Sequence, residues 1–338
     1  MIYCNQCVLE KLQCSIWYYG LIRQVENNNN KDEKMTKISK IYYTKSAPVL
    51  SFEIFPPKKE TGIELLYRTL DEVNPQKLGV DYISVTYGAG GLGDNTKTCN
   101  LAQYIQTHLG VTALHHLTGV NQTPESLRDI LAKVEQANIE NILALRGDLG
   151  DKTYVNVNYP YAKDLIYGIK QLRDFNVGAA IYPEGYTGNP ITGISIAGTK
   201  EKIASGADFL ISQFFFDNDM YYNMQERLKN NYIKVPVSAG VMPIISKTQI
   251  ERVTHMIGSP LPTELVNIVY KYEDNSEDLK KAGIEYALKQ IQELLDHGVD
   301  GIHLYAMNQP SVLKSMLPII SQEIKTKHFF ENNISDHG

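Results

Sequence analysis

The sequence predicts a closed (β/α)8 barrel, and three observations carry that expectation. From Val49 onward, apolar strand-like runs alternate with amphipathic helical stretches. The alternation recurs at about 30 residues, the length of one βα unit, through eight repeats. The runs have apolar bodies and polar C-terminal ends, the layout of a barrel whose chemistry sits at one mouth. Near-continuous apolar strands between helices imply parallel pairing with both faces covered. Eight units favour a closed barrel over an open doubly wound sheet, which commonly has about five or six strands.

Val49–Phe55 opens the series and places one carboxylate, Glu53, in an otherwise apolar run. Tyr82–Tyr87 ends in Thr86-Tyr87, Thr112–Thr118 carries His115-His116, and Asn141–Gly147 ends in Arg146-Gly147. Val177–Tyr182, Phe209–Phe216 with Gln213, Val235–Met242 and Gly301–Met307 complete the set. Between the third and fourth runs a helix is predicted from Pro124 to Ala137, with Thr123 as N-cap and Pro124 in the first turn. Asn218–Leu228 and Leu279–Leu295 read the same way. The connection between the last two runs is longer, about 60 residues, and is expected to hold extra helices.

At 338 residues, with 43% hydrophobic content and 24 Gly, the chain can bury a sizeable core. A formal net charge of −5 and the absence of a dense basic block exclude the usual nucleic-acid signature. No apolar stretch reaches the roughly 18 residues needed to span a bilayer. Glu10, Lys11 and Gln13 interrupt the mildly apolar start, so a cytoplasmic protein is expected. Cys4, Cys7 and Cys14 stand close together but lack a fourth ligand at structural-zinc spacing, so no metal is expected. The polar tract Asn27–Lys34 cannot join a core. Residues 1–45 are therefore read as an unstructured extension, with Met35 a candidate start, and residues 46–330 as the catalytic barrel.

Glu53 is the most informative residue. A carboxylate on a buried strand must be paired, neutralised or used, because desolvation raises its pKa toward the range of a general acid. Gly88-Ala89-Gly90-Gly91-Leu92-Gly93 fits G-x-G-x-x-G but follows the second strand, and no acidic residue ends the next one. A tight turn that lets a ligand approach the backbone is the better reading than a Rossmann fingerprint. Arg146-Gly147-Asp148 reads as a strand-end ion pair. His115 and His116 lack the companions of a metal site.

Seven motifs together resemble the methylenetetrahydrofolate reductase family, in its order and over about residues 47–320. They are Ser51–Lys58, Ser84–Ala89, His116-Leu117-Thr118, Leu143–Asp148, Tyr182-Pro183-Glu184, Gly206–Phe209 with Gln213–Asp217, and Gly240–Ile244. The resemblance implies a flavin-dependent barrel that reduces 5,10-methylenetetrahydrofolate to 5-methyltetrahydrofolate, supplying methyl groups for methionine synthesis. It implies FAD as cofactor, NADH or NADPH as electron donor, and a ping-pong sequence at one flavin face. By position it makes Glu53 the general acid and Asp148 the carboxylate beside flavin and folate. It makes Thr86 and Gln213 contacts to nicotinamide or folate, with Phe55 an aromatic flanking that shared site. It places Tyr87, Ala89, His116, Arg146, Gly147, Asp148, Tyr161, Ala162, Tyr182 and Lys202 against the flavin. A homo-oligomer with small-molecule substrates is expected.

The chain departs from the family pattern in places. Gly185-Tyr186 stand where many relatives have a His after the Tyr-Pro-Glu motif. The Thr187–Thr199 stretch lacks the Asp and Asn at the positions where relatives hold the adenosine half of FAD, and Gln309 replaces an Arg of some bacterial relatives. The competing readings are a flavin barrel on another substrate, such as a proline dehydrogenase-like enzyme, a flavin-free folate methyltransferase barrel, and a silent subunit.

Overall fold

Eight parallel strands close into a barrel in simple sequence order in the computed structural model. The structure describes residues 36–87, 95–147, 156–183, 195–257 and 261–335. In chain order the first elements are α1 (Ile38–Thr44), β1 (Val49–Ile54), α2 (Glu60–Val73), α3 (Pro75–Leu78), β2 (Tyr82–Val85), α4 (Asn95–Thr107) and β3 (Thr112–Thr118). Then come α5 (Pro124–Gln136), β4 (Asn141–Leu145), α6 (Ala162–Leu172), β5 (Asn176–Ile181), α7 (Ile196–Ala204), β6 (Phe209–Ser212) and α8 (Asn218–Asn230). The series ends with β7 (Val237–Val241), α9 (Lys247–Ile257), α10 (Thr263–Lys271), α11 (Ser276–Asp296), β8 (Gly301–Tyr305) and α12 (Pro310–Ser335). β8 closes on β1 in a register that runs from Val49 opposite Gly301 to Glu53 opposite Tyr305.

Side chains alternate across each strand, so every strand serves two cores. Leu50, Phe52 and Ile54 of β1 face the helices and join the main core. Val49 faces inward and packs with Tyr82, Leu114, Leu143, Phe209 and Ile211 in a separate cluster inside the barrel. Ser51 and Glu53 continue that inner row toward the C-terminal mouth.

Residues 36–45 correct the expected boundary at residue 46. α1 belongs to the barrel, because Ile38 is fully buried in the inner cluster and Ile41 and Tyr42 pack against it. Its spacing of Ile38, Ile41 and Tyr42 is that of one helix face. Lys37, at its N-cap, turns its side chain to Asp174 (2.7 Å) and caps no helical amide. The first helical amides are satisfied from a distance instead: Ile38 N–H donates to Asn141 Oδ1 (2.9 Å) and Ser39 N–H to Asn176 Oδ1 (3.0 Å). Tyr42 Oη lies 2.7 Å from Ser238 Oγ on β7. α1 therefore plugs the N-terminal end of the barrel. Cys4, Cys7, Cys14 and the Asn27–Lys34 tract lie outside the described residues.

A short device recurs at that same end. Asp81, just before β2, accepts from Leu50 N–H of β1 (2.7 Å); Asp208, before β6, accepts from Val177 N–H of β5 (2.7 Å); Asp300, before β8, accepts from Val237 N–H of β7 (2.9 Å). Each Asp follows a Gly-x pair, Gly79-Val80, Gly206-Ala207 and Gly298-Val299. At β4 the side chain of Asn141 takes this role and donates to Ala113 O of β3 (3.4 Å). Side chains thus tie β1 to β2, β3 to β4, β5 to β6 and β7 to β8.

Seven of the eight predicted runs contain the observed strand, β5 beginning one residue before its run at Asn176, and most observed strands stop earlier than expected. The residues beyond, such as Thr86-Tyr87 and Arg146-Gly147, leave the ladder to build the mouth. Thr123 caps α5 as expected: its Oγ1 accepts from Ser126 N–H (3.2 Å), and Ser126 Oγ accepts from Thr123 N–H (2.8 Å). The long connection before β8 holds α9 and α10. They cover a smaller cluster of Phe214, Phe216, Met242, Ile244, Leu265 and Leu279. Among the described residues no helix is long and apolar enough to cross a membrane.

Candidate active site

Glu53 points into the barrel near its C-terminal mouth, between Ser84 of β2 and Tyr305 of β8, its register partners. His116, on the inner row of β3, places Nε2 3.7 Å from Glu53 Oε2. That separation is too long for a hydrogen bond. Charge logic also argues against an ion pair. Burial pushes the Glu53 carboxyl up to about 8. Burial, with His303 and His115 close by, holds the His116 imidazolium down to about 3. At neutral pH both groups are uncharged, so the site presents a protonated carboxyl beside a neutral imidazole.

The groups behind Glu53 fix this arrangement. Ser51 Oγ donates to Ile302 O (3.2 Å) and lies 2.8 Å from His303 Nδ1. Burial keeps His303 neutral as well, its pKa pushed to about 3. Tyr305 donates its hydroxyl to Ser212 O (2.9 Å), and its ring meets Phe214 and His303 edge-on, at 5.5 and 5.0 Å between centroids. The Tyr305 side chain crosses over β7 at Gly240. A Cβ there would stand 2.4 Å from Ser212 O and 2.8 Å from Tyr305 Cε2, so only glycine fits.

Other expected site residues gather around the same mouth. Thr86 is half-buried just past β2, with its N–H bonded to Ile54 O (2.9 Å) and its carbonyl accepting from Thr98 Oγ1 (3.2 Å). Gln213 follows β6, its N–H bonded to Ile181 O (2.8 Å) and its Oε1 accepting from Phe214 N–H (3.1 Å). Lys202 reaches from α7 to donate to Ala180 O (2.7 Å), its Nζ 5.9 Å from the Tyr182 ring centroid. Burial lowers its pKa to about 8. Arg146 and Gly147 follow β4. Gly147 adopts φ +85°, and a Cβ there would meet Val120 Cγ1 at 2.6 Å. The position demands glycine twice over, by conformation and by space.

Some expected residues stand apart. Tyr87 lies against the outward-facing His115, 6.4 Å between ring centroids, not with the inner row. Tyr161 and Ala162 begin α6; the Tyr161 ring is exposed, and its N–H is capped by Asp164 Oδ2 (3.0 Å). Asp148, Ala89 and the 185–194 segment lie outside the described residues. Tyr305 stands beside Glu53 and Asn308 beside Phe55, although neither is among the expected site residues. Tyr305 was in phase with the polar strand ends, but its pairing with Glu53 depends on cross-strand register. A groove of about 680 Å³ between α5, α6 and α7 lies outside the barrel and touches none of the inner row.

A closed parallel barrel with a neutralised carboxyl at its C-terminal mouth is the architecture of a (β/α)8 enzyme. The comparisons make this particular. The profile of the methylenetetrahydrofolate reductase family matches residues 37–321, and the chain belongs to that family, an oxidoreductase family. A 5,10-methylenetetrahydrofolate reductase of Escherichia coli is 30% identical over 260 residues, 77% of this chain and 86% of that protein. Methylenetetrahydrofolate reductase 1 of Schizosaccharomyces pombe is 30% identical over 272 residues, 79% of this chain; the match spans 45% of that longer protein. Among solved structures, an uncharacterised Clostridium thermocellum protein that binds two copies of 5-methyl-5,6,7,8-tetrahydrofolic acid superposes with a TM-score of 0.61. Its identity is 16%, with 86% of this chain and 99% of that one covered, a likeness of fold.

Proposed function

We propose that the chain reduces 5,10-methylenetetrahydrofolate to 5-methyltetrahydrofolate with electrons from NADH or NADPH, FAD being the carrier and the two substrates using the site in turn. Family membership supports the reaction, and the observation that carries it is Glu53, a carboxyl held protonated toward pH 8 at the barrel mouth. Opening the five-membered ring of the substrate requires protonating a weakly basic aniline-type nitrogen. Glu53 holds the proton for that step at its carboxyl, and the walls around it exclude the water that would otherwise level its pKa.

The residues present suit a flavin. Ser84 Oγ, His116 Nε2 and Thr118 Oγ1 are buried with no hydrogen-bond partner among the described residues, and they belong to the inner rows of β2 and β3. A planar ring rimmed with donors and acceptors answers such groups. Gly147 lets the backbone pass close without a side chain. In this proposal His116, Arg146, Gly147, Tyr182 and Lys202 hold the cofactor, with Tyr87, Ala89, Tyr161 and Ala162 assigned by family position. A flavin bound there supplies the two-electron carrier between nicotinamide and folate. Thr86, Gln213 and Phe55 orient the substrates. Asp148, assigned by family position, places a negative charge where the opened folate develops positive charge.

The test is an anaerobic two-step assay on the purified protein. A yellow chromophore should bleach with a reduced nicotinamide nucleotide and regain colour on adding methylenetetrahydrofolate. Colourless protein, or bleached protein that methylenetetrahydrofolate leaves unchanged, would refute the proposal.

A further inference from the structure

β1 ends at Ile54, yet the next residue is held as firmly as the strand. Phe55 N–H donates to Asn308 Oδ1 (3.0 Å), and Asn308 Nδ2 donates to Phe55 O (2.7 Å). One carboxamide thus replaces the neighbouring strand for one further step of the β1–β8 ladder. The residue after Phe55 is Pro56, which disfavours a helical conformation at Phe55 and keeps it extended. Period-two alternation then carries Phe55 to the same face as Ser51 and Glu53, one layer nearer the mouth. Its ring is 36% exposed although the strand beneath it is buried. The loop that delivers Asn308 is strained: Met307 and Asn308 have φ +52° and +53°, consecutive non-glycine residues in the left-handed region. Strain of this kind persists where the surrounding structure over-determines it, and it clusters at functional sites.

We propose that Asn308 is a positioning residue: its carboxamide clamps the Phe55 backbone so that the Phe55 ring stands as a fixed platform above Glu53 for the planar heteroaromatic part of the substrate. The inference rests on the function proposed above. It assigns to the β8–α12 loop a task that the family resemblance leaves to Phe55 alone.

The test is a double-mutant cycle with two readouts. The variants are Asn308→Gly, which keeps the left-handed backbone and removes both bonds, Phe55→Leu, and the pair combined. Amide hydrogen exchange at residue 55 in the ligand-free protein reads the clamp itself. Affinity for 5-methyltetrahydrofolate, with KM and kcat for the folate half-reaction, reads the platform. Asn308→Gly should speed exchange at Phe55 and weaken binding by roughly tenfold to a hundredfold, the range for a misplaced positioning group, with KM moving more than kcat. The combined variant should bind no worse than Phe55→Leu alone, because Asn308 acts through that ring. Faster exchange with unchanged affinity, or additive losses in the combined variant, would overturn the inference. Should Asn308→Gly fail to fold, Asn308→Asp carries the same cycle, since it keeps the acceptor and loses the donor. Wild-type protein that does not bind 5-methyltetrahydrofolate would sink the functional proposal and this inference together. Wild-type binding with indifferent variants sinks the inference alone.

Discussion

Glu53 owes its proton to position, since burial raises its pKa and no cation among the described residues offsets it. Its side chain is only 17% exposed, and His116, 3.7 Å away, is itself too buried to charge. Glu53→Gln keeps the shape and hydrogen-bonding capacity and removes the transferable proton. On the proposed two-step scheme, flavin reduction by the nicotinamide nucleotide needs no acid at this position and should survive in the variant. Methylenetetrahydrofolate reduction should fall by about 10²–10⁴-fold, the usual loss for a general acid. Equal losses in both half-reactions would make Glu53 a binding or folding residue. The same geometry fixes the pH dependence: the acid form persists below its raised pKa. The folate half-reaction of the wild-type protein should therefore hold steady through neutrality and decline above about pH 8. A plateau that continued well past pH 9 would place the acid elsewhere.

Among the elements, β7 and α1 carry the sharpest expectations. Gly240→Ala drives a Cβ into the Ser212 carbonyl and the Tyr305 ring, both fixed. Overpacking of this kind costs about 1–3 kcal/mol, to be read by denaturant unfolding. Wild-type stability would show that β7 can move aside. A chain starting at Ala47 loses α1 and uncovers the barrel floor. It should be less stable than one starting at Thr36 by at least about 2–5 kcal/mol, the loss on truncating one large buried side chain such as Ile38; equal melting temperatures would make the plug incidental. These two elements also mark how far the sequence could be read. Strand bodies were legible because parallel strands covered on both faces are continuous apolar runs. Helix α5 was legible because Thr123 and Pro124 announce its start. α1 was missed because it follows a polar tract and its amides are capped by Asn141 and Asn176, about 100 residues or more away in sequence. Glu53 was legible as a chemical oddity in its strand, whereas Gly147 came only with the family resemblance. The places of Tyr305 beside Glu53 and of Asn308 beside Phe55 were not legible, because cross-strand register and a loop's backbone angles leave no local trace.

The whole molecule carries an acid liability. His115, His116 and His303 are buried, with pKa values pushed to about 4, 3 and 3 from 6.5. The unfolded chain takes up these protons below 6.5 and the folded one does not, so their stabilisation is complete above 6.5 and is lost as pH falls toward 3. Glu53 acts with the opposite sign, since its raised pKa adds stability as pH falls from about 8 to 4.5. Between 6.5 and 4.5 the three histidines lower stability as pH falls, while Glu53 and the raised carboxyls of Asp300 and Glu323 offset part of that loss. His303→Asn should flatten the stability profile in that window, measured by denaturant unfolding at several pH values. A variant whose profile stayed as steep as the wild type would show that His303 already exchanges its proton in the folded state.

The aspartate ties at the barrel floor have a consequence for how the molecule can be divided. They bind strands in consecutive couples, and among the described residues no such aspartate tie crosses the seams between couples. The seam between β6 and β7 is short, with only Leu210 opposite Val237 and Ile211 opposite Ser238. The loop that crosses it turns at Tyr232, which is 89% exposed at φ +60°. A peptide bond cut there leaves three couples on one fragment and the fourth, with its helices, on the other. Each fragment keeps its own ties, and the two carry complementary sides of one mouth. The barrel is built as quarters, and separately made pieces ending at Tyr232 should find each other and restore the pocket around Glu53.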